Sequence, residues 1–345
     1  MLLNIEELFE KAEGRRKTAE YADAVKLYKS ALSAYRKMAD LPGVLDSVLA
    51  LGDTLRASGE FAAAKAFYEE GLGLAEALED RYAEADALVG LGLSIRALGD
   101  WKRAMQAVNM AEKIYISIED RHGEAFALWA RAGTYRIKGD VKKAVETFRL
   151  ALDRFRALKD STGMAYSYCG LGGSSRVANK FDDSEKYYKM ANRMFGRLKD
   201  RFGLAYSYCG LGNGRRMKGD YKGALDYFKK AGVLYKKIGD RVSYSYTLWS
   251  EGTTYKMQGK LDKADDSFKE SAEFFRQTKD PRGDIYCILA RGEIDYLKGN
   301  VKKAKGSFTK GLDQAKGYGF KLEAGYASRL LKGFDKGKGF PVNLP

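Results

Sequence analysis

An aspartate stands at every fortieth position from Asp40 to Asp280, through Asp80, Asp120, Asp160, Asp200 and Asp240, with no insertion or deletion between them. A fixed period of this length marks a repeat array in which each unit is one supersecondary element. Other columns keep the same spacing. Gly52, Gly92, Gly172, Gly212, Gly252 and Gly292 form one, with Ala132 in the gap; Ala24, Ala64, Ala104, Ala144, Ala224, Ala264 and Ala304 form another, with Ser184 in the gap. A third is aromatic, at Tyr28, Tyr68, Phe148, Tyr188, Phe228, Phe268 and Phe308, broken by Val108. Eight units follow, at 1–40, 41–80, 81–120, 121–160, 161–200, 201–240, 241–280 and 281–320, then a capping helix at 321–334 and a basic tail at 335–345.

Within a unit, apolar residues recur at helical spacing in two stretches; in the fifth they are Ala165, Tyr168, Cys169 and Leu171, then Tyr187, Tyr188 and Ala191. Gly59, Gly99, Gly139, Asn179, Gly219, Gly259 and Gly299 separate the stretches, where a residue able to take positive φ ends a helix. Asp100, Asp140 and Asp220 suit the N-cap of the second helix, and the forty-residue aspartates that of the next unit's first helix. Pro42 and Pro281 follow such aspartates, in a first turn where a missing amide hydrogen costs nothing. One helical hairpin cannot bury both faces, so the units must stack, and the expected fold is an all-α solenoid.

Composition removes most catalytic chemistries. His122 is the one histidine, and Cys169, Cys209 and Cys287 are too few and too far apart in sequence for a zinc knuckle. The glycine-rich strings 170–173 and 210–214 lie inside helical stretches and lack the strand and the Lys-Ser/Thr of a phosphate loop. No metal, cofactor, small-molecule substrate or enzymatic activity is therefore expected. No window holds 18 consecutive apolar residues, and acidic residues occupy the start where a signal peptide is basic, so a cytoplasmic, membrane-free protein is the expectation.

The order Leu-Gly, small residue, aromatic, Ala, as in Leu211-Gly212, Ala224, Phe228 and Ala231, resembles the tetratricopeptide repeat (TPR) along essentially the whole chain. The forty-residue spacing, with a junction such as Gly239-Asp240-Arg241, is most similar to the longer repeats of the spindle-orientation adaptor LGN/Pins and related scaffolds. The resemblance implies a right-handed superhelix of about eight antiparallel helix pairs whose first helices line a concave groove for peptides. The family's helix-ending proline is absent, and the groove asparagine of LGN-type repeats occurs only at Asn213.

Two columns of the first helices are candidates to face a ligand. Four residues after the Leu-Gly glycine stand Arg56, Arg96, Arg136, Arg176, Arg216 and Lys256, with Arg16 in the first unit and Tyr296 in the eighth. The resemblance places this column in the groove, with stacked helices roughly 8–10 Å apart. Cations in a last helical turn also compensate the macrodipole, or pair with acids such as Asp53. Ten residues upstream run Phe126, Tyr166, Tyr206, Tyr246 and Tyr286, a column that holds Glu6, Asp46 and Asp86 in the first three units; Trp129, Cys169, Cys209 and Trp249 lie between the two. An aromatic stripe is usually core, yet a buried position rarely takes three acids.

Sixty-one Lys and Arg against 46 Asp and Glu leave a charge of +15. Residues 1–120 hold 15 and 21 of these, a balance of −6, and residues 121–345 hold 46 and 25, a balance of +21. A gradient crossed by a register-locked cation row fits an oriented ligand. The expectation is an adaptor that binds an extended or helical acidic-aromatic segment of a partner protein. The alternative is a nucleic-acid-binding solenoid with arginines on phosphates and tyrosines stacking on bases.

Overall fold

The computed structural model describes residues 4–337 and 339–345, and among these every regular element is an α-helix. In chain order they are α1 (Ile5–Lys17), α2 (Tyr21–Met38), α3 (Leu41–Ala57), α4 (Phe61–Ala77), α5 (Arg81–Ala97), α6 (Trp101–Ser117), α7 (Arg121–Lys138), α8 (Val141–Ala157) and α9 (Ser161–Val177). Then come α10 (Phe181–Leu198), α11 (Arg201–Met217), α12 (Tyr221–Ile238), α13 (Arg241–Met257), α14 (Leu261–Thr278), α15 (Pro281–Leu297), α16 (Val301–Tyr318) and α17 (Lys321–Asp335). Each helix packs on its neighbours in sequence, and the odd-numbered helices from α3 to α17 also pack on one another. They form the inner layer of a helical solenoid, and the even-numbered helices form its outer layer.

The aspartate ruler marks the helix starts. Asp40, Asp80, Asp120, Asp160, Asp200, Asp240 and Asp280 are the N-caps of α3 to α15, each accepting a backbone N–H three residues on. Asp100, Asp140 and Asp220 do the same for α6, α8 and α12. The turns between second and first helices also use left-handed backbone, at Ala39, Glu79, Glu119, Lys159, Lys199 and Lys279. These residues carry no sequence signature of that conformation.

The glycine column is explained by the aromatic column. A Cβ at Gly52 would lie 2.9 Å from the Tyr68 ring, and at Gly172, Gly212, Gly252 and Gly292 between 2.6 and 2.9 Å from Tyr188, Phe228, Phe268 or Phe308 or its neighbour Ser307. The same rings press on the first helix of the following unit, where a Cβ at Gly90, Gly170 or Gly210 would overlap Tyr68, Phe148 or Tyr188. Tyr68 and Tyr188 are thus each wedged between two inner helices, and limit how closely those units stack.

Successive units then curl until the solenoid meets itself. Arg201 Nη1 donates to the Thr18 carbonyl at 3.1 Å, across 183 residues. Gly59 lies against Val242, Gly99 against Pro281 and Gly139 against Lys321, offsets of 183, 182 and 182 from the residue numbers. Ala19, Tyr21 and Ile238 share a small apolar cluster with Ala57 and Phe202. One turn of the superhelix therefore takes about four and a half units, and the turn between the paired helices of units one to four docks on the start of an inner helix one coil later.

This closure buries Asp240, which is 3% exposed, and burial pushes its carboxyl up to about 6. The unfolded chain releases this proton near pH 4 and the folded chain near 6, so stability falls as pH rises through that window and the deficit persists above it. Asp240→Asn keeps a capping oxygen without the charge. The expected result is a gain of about 1–3 kcal/mol in denaturant unfolding at pH 7.5 that vanishes at pH 4. A second comparison tests the wedge. Gly210→Ala should cost about 1–3 kcal/mol by overpacking Tyr188. Gly214→Ala, in the same helix with nothing within 4 Å of the new methyl, should raise stability by up to about 1 kcal/mol.

Candidate functional site

The inner surface carries the cation column in the last turns of the odd helices, and its electrostatics divide it into three parts. At the first end the cations are paired: Arg16 with Glu13 at 2.8 Å, and Arg56 with Asp53 at 3.1 Å and the Tyr68 hydroxyl at 3.0 Å. At the other end Lys256 pairs with Glu293, both buried. Between them Arg96, Arg136, Arg176 and Arg216 form no ion pair among the described residues.

The position three residues before the column accounts for the pairing of Arg16 and Arg56. It runs Glu13, Asp53, Leu93, Gly133, Gly173, Asn213, Thr253, Glu293. Lys256 is paired differently: Thr253 is neutral, and Glu293, the acid before Tyr296, reaches Lys256 from the next inner helix. Gly133 and Gly173 also give the side chains of Arg96 and Arg136 room to lie on the next inner helix, since a Cβ at either glycine would overlap the guanidinium. Arg96 donates to the Ala130 carbonyl at 3.1 Å. The Arg176 Nε is buried with no partner. Burial, with Arg136 nearby, pushes Arg96 down to about 10; burial, with Arg176 nearby, pushes Arg216 down to about 9. A guanidinium keeps its proton at ordinary pH, so such burial calls for acceptors or an anion.

The aromatic column is mostly engaged within the fold. Tyr166 donates to Asp200 at 2.8 Å, Tyr246 to Asp280 at 2.9 Å and Tyr286 to Glu323 at 2.9 Å, so these hydroxyls tie inner helices to the N-caps or first turn of their neighbours. Asp86, in the same column, accepts from the Tyr115 hydroxyl, which shows how one position serves both residue types. Phe126 stacks on Trp129, with ring centroids 5.8 Å apart, and Trp129 meets Tyr166 edge-on. The Trp129 Nε1 is buried without a partner. Tyr206 stacks on Phe202. Trp249 is buried and donates to the Tyr286 carbonyl, with Arg216 5.8 Å over its ring. Asn213 accepts from Arg216 at 3.0 Å. Cys169 and Cys287 are buried, Cys209 is half-buried, and burial raises all three thiols above their ordinary value.

The segment after α17 departs from its reading as a basic tail. Lys338 lies outside the described residues, and residues 340–345 carry no charged side chain. Val342 and Leu344 are buried against the inner surface of the last units. The Arg216 Nη2 donates to the Leu344 carbonyl at 2.8 Å and Nη1 to the Asn343 side chain, while Asn343 Nδ2 donates back to the Arg216 carbonyl at 3.2 Å. Lys256 donates to the Val342 carbonyl at 3.0 Å, and the Val342 N–H to Glu293 at 2.7 Å. Phe340 sits 4.4 Å from the Tyr296 ring. Glu293 and these tail residues escaped the sequence reading. The alternation of apolar residues at 340, 342 and 344 was the available signal.

No curated protein matches this chain. The family model of the tetratricopeptide repeat matches residues 45–78. Among solved structures, the Rap conjugation gene regulator of plasmid pLS20 in complex with the Phr* peptide is similar at a TM-score of 0.69 and 12% identity, covering 91% of this chain and 95% of that one. A Rap protein complexed with Competence and Sporulation Factor gives a TM-score of 0.63 at 16% identity, over 96% and 98%. NprR with its cognate peptide NprX gives 0.60 at 15%, over 86% and 84%. Among the described residues no helix is long and apolar enough to cross a membrane, and no group of three or more His, Cys, Asp or Glu is placed to hold a metal ion.

The two classes of cation should respond oppositely to removal. Arg56→Met strands Asp53 and Tyr68 and should cost about 1–2 kcal/mol. Arg176→Met removes a cation without an ion pair and should be neutral or stabilising in thermal and denaturant unfolding.

Proposed function

We propose that this tetratricopeptide-repeat solenoid is a non-enzymatic, cytoplasmic adaptor whose inner surface takes an extended acidic-aromatic segment of a partner protein. One observation carries the proposal: four successive inner cations, Arg96, Arg136, Arg176 and Arg216, have no carboxylate partner, whereas the same column is neutralised at both ends. A ligand carboxylate can satisfy the buried Arg176 Nε, and guanidinium forks hold carboxylates bidentately. Phe126, Trp129 and Tyr206 offer flat apolar faces for the segment's aromatic residues, and the buried Trp129 N–H is a donor in search of a carbonyl. The peptide complexes among the similar folds support a peptide ligand over a compact one.

The odd helices that carry these cations form the inner layer of the solenoid, which suits one extended chain better than a duplex. Fluorescence anisotropy with a labelled ten-residue peptide alternating Glu with Leu and Phe tests the reading, with a Lys-for-Glu peptide as control. The acidic peptide should bind, the basic one should not, and Arg136→Glu or Arg176→Glu should weaken binding at least tenfold, which is about 1.4 kcal/mol. Binding of the acidic peptide by both substituted chains as tight as by the unsubstituted chain would sink the reading. Displacement of the peptide by a single-stranded polynucleotide at moderate salt would favour the phosphate-binding alternative.

A further inference from the structure

The inner surface of the last units is already in use by a peptide, and the peptide is this chain's own. Residues 340, 342 and 344 each meet one member of the ligand-facing column: Phe340 the Tyr296 ring, the Val342 carbonyl Lys256, and the Leu344 carbonyl Arg216. Two tail residues therefore correspond to one unit, and the tail runs in the opposite sense to the units it crosses. This is the period of an extended strand, in which alternate side chains point the same way. Val342 is 6% and Leu344 1% exposed, and the backbone between them is held on both sides by charged groups. The contacts are largely to main-chain atoms, so they read an extended backbone with apolar residues at alternate positions and an amide side chain between them.

We propose that Arg216, Lys256, Glu293 and Tyr296 form a peptide-reading subsite for extended segments of this pattern, and that residues 340–344 are its tethered occupant, which an incoming segment must displace. The inference rests on the peptide-binding reading for its consequence: the partner meets an open cationic stretch at Arg96, Arg136 and Arg176 and a stretch near Arg216 that is filled. Gly337 and Gly339, both with positive φ, let the chain turn off the end of α17 into the inner surface. A short tether holds its occupant at an effective concentration on the order of millimolar, so a free competitor of comparable affinity binds much more weakly while the tail is seated.

The test uses a labelled synthetic peptide of residues 339–345, added to the full chain and to full-chain Leu344→Asp, which places a charge where Leu344 is buried. The substituted chain should bind the peptide at least tenfold more tightly than the unsubstituted chain, and Arg216→Ala added to Leu344→Asp should lose at least tenfold again. Equal binding to both chains, or none to a Leu344→Asp chain that retains its helical circular dichroism, overturns the proposal. Should Leu344→Asp fail to fold, hydrogen exchange of the unsubstituted chain decides: a slowly exchanging Val342 amide supports the seated tail, and an unprotected one overturns it. Because the probe carries no acidic residue, its failure leaves the acidic-segment reading standing, and failure of the acidic peptide leaves the tail untouched.

Discussion

The wedging of one aromatic ring between two inner helices governs the rest of the structure. Tyr68 touches Gly52 in its own unit and Gly90 in the next, and Tyr188 does the same with Gly172 and Gly210. A missing Cβ on each side lets successive inner helices close on the ring at these positions. Stacked with no change of unit length, the units form a coil that returns on itself after about 182 residues. The closure follows from the wedge, because a looser or irregular stack would not bring Thr18 to Arg201 and Gly139 to Lys321 with nearly the same offset.

Closure in turn changes the chemistry of the inner surface. Inner side chains lose solvent, and a charge without a partner becomes costly. The protein meets that cost at the two ends of the cation column with Glu13, Asp53 and Glu293, and places no acid against Arg96, Arg136 or Arg176, of which Arg96 has the Ala130 carbonyl. At Arg216 it is met by carbonyl and amide groups of Asn213, Asn343 and Leu344 rather than by an anion. A column that is chemically uniform in sequence is thereby partitioned into closed and open sections, and the proposed ligand would use the open one.

Much of the fold was legible because it is periodic. The helix starts follow from the aspartate ruler, the ends of the first helices from Gly59 and its equivalents, and the hairpin stacking from apolar spacing. The left-handed turns at Glu79, Glu119 and Lys159 were not, since local backbone hydrogen bonds that close the preceding helix hold them and their residue types do not signal them. The cation column was legible as a row, whereas its division depends on where acids stand: three positions earlier in the same helix for Arg16 and Arg56, and in the next inner helix for Lys256. The tyrosine column misled in part: Tyr166 and Tyr246 reach aspartates 34 residues on, a contact that exists only once neighbouring units stack. The tail was read by its lysines, while its fate is set by the uncharged residues after them, whose partners lie up to 128 residues away.

The most direct measurement is the side-chain NMR of the chain labelled with nitrogen-15 arginine, recorded while an acidic peptide is titrated in. If the open section of the column is the binding surface, the Nε–H signals of Arg96, Arg136 and Arg176 move together and saturate, while those of the paired Arg16 and Arg56 stay in place. Movement of outer-layer arginines such as Arg149 and Arg193, with the inner signals unchanged, would contradict it.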